Sequence, residues 1–185
     1  MPVVSGFHES VTQMTATLEL TIDAAWAALR AVPDPEIPVI SITELGIVRA
    51  VAVDGERATV TVTPTYGGCP ATELIEQEIV AALTQAGAAE VVVRRQLAPA
   101  WTTDWIDPAA RERLRAYGIV PPGVRAPDGA QAIRLLPRRE PAAALDCPRC
   151  GSSQTERLSQ FGATACKALY RCRACGEPFE YFKPL

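Results

Sequence analysis

The chain has 185 residues, of which 48% are hydrophobic and 21% charged, the proportions of one ordinary folded domain with a small appended module. Its formal charge of -3 argues against a general nucleic-acid binder, which is usually basic, and no apolar run approaches the ~18 residues of a membrane span. The single histidine, His8, leaves the rest of the chain without a Cys-His or Ser-His pair and without the Glu-x-x-His pairs of a di-iron centre.

Residues 1–17 are polar and aperiodic and read as a disordered leader, with neither the basic start nor the apolar core of a secretory signal. "TIDAAWAALRAV" then places Ile22, Ala25, Trp26 and Leu29 at helical spacing, with Thr21 as N-cap. Pro33, Pro35 and Pro38 in "PDPEIPV" end that helix. "GIVRAVAV" and "ERATVTVT" are β-branched runs around Asp54-Gly55, a strong hairpin signal. "PATELIEQEIVAALTQAG" predicts a second helix, with Pro70 in its first turn, Gly87 at its end, and Leu74, Ile75, Ile79, Ala82 and Leu83 on one face. "AEVVVRRQL" is a third strand. The order αββαβ predicts a two-layer α+β domain with helices packed on one face of a sheet.

A helical extension follows, framed by Asp107 as N-cap, Pro108 at the first helical position and Gly118 as stop, so the first domain runs over 18–120. Residues 121–144 are rich in proline and read as a semi-rigid linker. From 145 to 185 the chain reads as a four-cysteine zinc ribbon. Cys147-x2-Cys150-Gly and Cys172-x2-Cys175-Gly flank 21 residues, and each glycine permits the tight turn that brings amide N–H groups near the sulfurs. "TERLSQF" and "EPFEYF" would supply the strands. So short a segment cannot bury a core, and the metal would supply its folding energy. Zinc suits four thiolates, as do a single iron or an iron–sulfur cluster. Six basic against three acidic residues from Cys147 onward, with the charge of a Zn²⁺ bound by four thiolates, leave about +1, too little for phosphate-driven binding.

Two cysteines remain. Cys69, in "TPTYGGCPATELIEQ", falls at the expected N-cap of the second helix, where amide N–H groups and the helix dipole would favour a thiolate. Gly67 and Gly68 leave the loop open. It is a reactive thiol or a small buried cap residue. Asp34 and Glu36 either meet that loop or form a solvated turn. Cys166 is a fifth thiolate for an exchangeable cluster or a buried strand residue. Trp101 and Trp105 are core anchors or a docking surface.

"DPEIPVISITELGIV", the Asp-Gly hairpin and "TVTPTYGGCPATELIE" together resemble the SufT-like metal–sulfur cluster biosynthesis family. The resemblance implies that the DPE turn faces the Cys-Pro helix start. It makes Cys69 the reactive residue, with Asp34, Glu36, Thr63 and Thr65 lining the same transient iron or iron–sulfur site. A longer set of strings, "PAWTTDWI", "YGIVPP", "CPRCGS", "SQFGATACKALYRC" and "CGEPFEYFK", resembles the PaaD (or PaaJ) family of the phenylacetyl-CoA epoxidase system. This implies an accessory protein of aerobic phenylacetate degradation, whose oxygenase and reductase partners carry the di-iron and flavin/iron–sulfur chemistry. Six cysteines, four of them in close pairs, without an export signal point to a reducing cytoplasm. A maturation factor and a purely structural or regulatory zinc subunit both follow from it. A thiol enzyme using Cys69 as nucleophile lacks a histidine base. A homo-oligomer is left open, and neither nucleic acid nor membrane is an implied partner.

Overall fold

The computed structural model describes residues 19–123 and 145–184. The predicted leader and most of the predicted linker lie outside them. Among the described residues no helix is long and apolar enough to cross a membrane.

The first helix, α1 (Ile22–Arg30), begins where Thr21 accepts a hydrogen bond from the Ala24 N–H at 3.1 Å. Ala25 and Leu29 are buried, whereas Ile22 is exposed and Trp26 half-buried under the Arg30 guanidinium. The inward face is therefore narrower than the periodicity suggests. Strands β1 (Val48–Asp54) and β2 (Arg57–Val62) form the antiparallel hairpin about Asp54-Gly55. The first strand starts two residues later than the apolar run. Gly46 instead adopts φ +78°, and a Cβ there would lie 2.7 Å from Trp105 Cβ, so only glycine permits this close approach.

Helix α2 (Thr72–Gln85) buries Ile75, Ile79 and Leu83 and leaves Leu74 exposed. A single i, i+4, i+8 row carries the packing, and Leu74 lies one residue off it. Its C-terminus closes with Ala88 N–H donating to Leu83 C=O and Gly87 N–H to Thr84 C=O, the Schellman arrangement that needs glycine at positive φ. β3 (Glu90–Arg95) returns parallel to β2, giving sheet order β1-β2-β3. Ala58, Val60 and Val62 of β2 face the buried layer. The expected helix-on-sheet α+β domain is present.

After a short 3-10 turn, Thr103–Trp105, helix α3 (Pro108–Tyr117) starts with Asp107 accepting from the Ala109 N–H at 2.7 Å and stops at left-handed Gly118. The next two residues, β4 (Ile119–Val120), pair in parallel with a strand of the cysteine module. That module contributes β5 (Thr155–Ser159), β6 (Lys167–Cys172) and β7 (Pro178–Phe182), in the order β4-β7-β6-β5. The sequence predicts only the outer two of these, not the central β6. Its alternation of inward Ala168, Tyr170 and Cys172 begins with a buried Lys167, which masks the pattern.

The two sheets share a core. Phe182 and Cys166 pack with the apolar residues of the first domain, and Trp101 lies 6.0 Å from Phe182 between ring centroids. The Trp101 indole N–H donates to Leu45 C=O at 3.0 Å, so this tryptophan anchors the junction. Trp105 is half-buried, with the Arg49 guanidinium 3.5 Å from its ring centroid.

Candidate functional site

The four paired cysteines converge as their spacing predicts. Their sulfurs all lie within 4.8 Å of one another, with Cys147 to Cys175 at 3.8 Å and Cys150 to Cys172 at 3.6 Å. A tetrahedron with metal–sulfur bonds of ~2.3 Å has edges of ~3.8 Å, so the donor set fits a zinc ion. The two knuckles repeat one geometry. Gly151 N–H donates to Cys147 C=O and Gly176 N–H to Cys172 C=O, both at 2.9 Å, and each glycine has positive φ. Backbone amides of Cys175 and Ala174 lower the pKa of Cys172 to about 7. Against the Ser152 amide, the crowded Cys175 and Cys172 thiols push Cys150 up to about 12, so the cluster sheds its remaining protons as a metal binds.

A second group of side chains meets where the two sheets join. Asp34 is 4% exposed, and its Oδ1 accepts from the Glu36 N–H at 2.9 Å and the Ile37 N–H at 2.8 Å. The DPE turn is therefore not a solvated turn. Asp34 is drawn inward because the following Ile37 and Ile40 are core residues. Burial pushes its pKa up, against the pull of those two amides and of Lys167. Glu36 is also raised, by burial and then by the Asp34 charge.

Cys69 is half-buried in the loop before α2. It is not the N-cap. Pro70 and Ala71 form a turn, Ala71 holds the cap position, and the Thr72 N–H donates to Cys69 C=O at 3.2 Å. The extra turn moves Cys69 two residues out of the helix, where it neighbours Tyr66, Glu36 and Cys166. Burial and the neighbouring Cys69, Glu36 and Cys166 push the Tyr66 phenol up to about 12.

Cys166 arrives from the loop before β6. It is buried, its sulfur lies 3.0 Å from Thr164 Oγ1, and burial pushes its thiol up. Next to it Lys167, 3% exposed, places Nζ 2.8 Å from Glu180 Oε2. Glu180 also accepts from the Ala163 N–H at 2.9 Å, and a Cβ on Gly162 would lie 2.6 Å from Glu180 Oε1. The loop is thus held tightly against the sheet.

Asp34, Glu36, Thr65, Cys69, Cys166 and Phe182 line one cavity. Its internal free volume is about 20 Å³, on the scale of the ~10–15 Å³ that one water needs. Cys69 also borders an open surface groove with Gly67, Gly68, Arg95 and Leu97, so it stands between that groove and the cavity. Thr63 does not line it. That residue is buried, and its hydroxyl has no hydrogen-bond partner. The cavity groups are also looser than the ribbon cluster. Among the described residues, the four ribbon cysteines are the one group of three or more potential ligands within 4.8 Å. Tyr66, Thr164 and Lys167 also belong to this region, and sequence reasoning does not find them. A lysine beside a cysteine in an apolar strand is the available signal for the last.

Comparison with known proteins bears on both regions. Residues 22–94 match the family of iron–sulfur cluster assembly proteins, and residues 135–183 match the PaaD zinc β-ribbon domain. Solved structures similar to the first region include a domain of unknown function, DUF59, from Bacillus anthracis, with 29% identity, a TM-score of 0.47, and coverage of 50% of this chain and 89% of that one. A conserved hypothetical protein from Thermotoga maritima is 26% identical, with a TM-score of 0.46 over 52% of this chain and 95% of its own. By the two family matches, the chain joins an iron–sulfur cluster assembly region to a PaaD zinc β-ribbon region. A protein of Escherichia coli K12, the D-type component of a "Putative 1,2-phenylacetyl-CoA epoxidase", is 53% identical over 158 residues, covering 85% of this chain and 90% of its own. The chain belongs to that PaaD family of epoxidase components.

Proposed function

We propose that this protein is a non-catalytic maturation factor within a cytoplasmic phenylacetyl-CoA 1,2-epoxidase system, and that it delivers iron to the oxygenase or reductase components. The observation that carries this reading is the cavity where Cys69, Asp34 and Glu36 meet. A thiol that also borders a surface groove, with two carboxylates beside it, suits a cargo that must enter and leave. In a resident site the ligands would close around the ion.

Cys69 binds the iron through sulfur and loses its proton as the bond forms. Glu36, partly exposed and already raised in pKa by burial and by Asp34, gains as a carboxylate once a cation arrives to offset that repulsion. Asp34 has Oδ1 committed to two backbone amides, so it fixes the turn and contributes charge. The small free volume favours a single ion over a preassembled cluster. The ribbon's four-cysteine cluster supports the site and is not its chemistry.

The test is co-expression of the epoxidase components with Cys69→Ala in place of the wild-type chain. The variant should fold, retain its zinc, and leave the oxygenase complex depleted of iron and unable to form epoxide. Full iron content and activity would overturn the maturation role and leave a structural or regulatory zinc protein.

A further inference from the structure

The cavity of the assembly domain is closed by the ribbon. Cys166 and Phe182 belong to the cysteine module by sequence, yet both pack into the first domain's core and line the same cavity as Cys69. The position of Cys166 is fixed from three directions. Its carbonyl accepts from the Lys183 N–H at 2.9 Å, its sulfur contacts the Thr164 hydroxyl at 3.0 Å, and Lys167 beside it is tied to Glu180.

We propose that Cys69 and Cys166 form one two-thiolate site between the modules, taking a single divalent first-row transition ion with Glu36 as the oxygen ligand. This rests on the reading of Cys69 as a metal-handling residue and adds a second, equal sulfur from the ribbon. Mixed sulfur and carboxylate donors suit a borderline ion such as Fe²⁺, Co²⁺ or Zn²⁺ in preference to magnesium or calcium, which take oxygen donors alone. Each thiol releases its proton as its metal–sulfur bond forms, and both protons pass to water. No electron transfer is involved. The ligand atoms are spread around the cavity wall, so the walls draw together on the ion. The loop before α2, which carries Cys69 and has Gly68 at positive φ, supplies that movement, while Cys166 stays where its carbonyl and sulfur contacts hold it.

Lys167 has a defined place in this site. As a buried cation near Asp34, Glu36 and Cys166, it favours their charged forms and stabilises a site that carries excess negative charge before the ion binds.

The experiment uses the full-length chain with one zinc in the ribbon, titrated with Co²⁺ under anaerobic conditions. Thiolate-to-cobalt absorption reports sulfur ligation, and zinc content is measured on the same samples. Wild type should take up one further cobalt with a two-thiolate spectrum. Cys69→Ala and Cys166→Ala should each weaken that uptake at least tenfold, with the ribbon zinc retained. Cys166→Ser, close in size, keeps the packing and should lose half of the charge-transfer intensity. If both Cys166 variants leave affinity and spectrum unchanged while Cys69→Ala abolishes uptake, the two-thiolate site is wrong and the Cys69 reading stands. If no variant changes the titration, or wild type takes up no further cobalt, both fall.

Discussion

The ribbon cluster and the inter-module cavity are two ways of assembling cysteines. In the first, four sulfurs come from two knuckles of identical geometry, each with a glycine at positive φ, and they meet at the edge lengths of a metal tetrahedron. In the second, single cysteines come from two unrelated loops and meet only because two sheets share a core. The first is local, closed and repetitive, as a structural site should be. The second is non-local and more loosely arranged, which suits the proposed handling of an exchangeable ion. The second also depends on the first. Cys172, a ribbon ligand, ends the strand whose start carries Lys167 and follows Cys166.

The largest effect should come from breaking that dependence at its source. Cys172→Ser removes one of four ligands, and structural zinc contributes ~10–16 kcal/mol to small metal-folded units. Zinc should be lost, and amide exchange should rise throughout 155–182. Because β4 pairs with β7, exchange should also rise at Ile119–Val120 while β1 to β3 remain protected. Unchanged exchange would mean that the ribbon does not need its metal.

A smaller effect should separate the two regions without touching any cysteine. Trp101→Ala removes a buried ring that packs on Phe182 and holds Leu45 C=O, a change that costs ~3–5 kcal/mol at a well-packed site. The ribbon zinc should stay, while the midpoint of denaturation falls and the cavity's cobalt affinity weakens. Retention of cobalt affinity in a destabilised Trp101→Ala protein would show that the cavity does not depend on the junction.

The smallest effect on stability, and one of opposite sign, belongs to Asp34→Asn. Burial raises the Asp34 pKa in the folded state, so this carboxyl favours folding most when protonated. Its stabilising contribution is present below the unfolded pKa and is lost as pH rises through the folded one. At neutral pH the amide removes the buried charge and keeps an oxygen for the Glu36 and Ile37 amides. The variant should be at least as stable as wild type at pH 7, with the advantage vanishing in acid, while metal uptake by the cavity falls. Thermal melts at the two pH values check the sign.

By itself the sequence determined what is repeated or periodic. The Cys-x2-Cys-Gly pairs, the Asp-Gly hairpin, the caps Thr21 and Asp107 and the stops Gly87 and Gly118 are all local signals, and local backbone geometry reproduces them because few other conformations satisfy their turns and hydrogen bonds. It also supplied the string resemblances on which the family membership could be anticipated. The tertiary structure alone decided where single residues ended up. Cys69 lies two residues outside its expected helix because Pro70 and Ala71 take a turn of their own, and Thr63, just past β2, is buried outside the cavity lining that its neighbours Val62 and Pro64 join. Cys166, Lys167 and Phe182 reach the first domain because β7 pairs with β4 and the two apolar faces merge. Neither partner of that contact carries a pattern that names the other. Their meeting depends on packing between segments far apart in the chain, where composition and spacing say only that a side chain is apolar or a thiol.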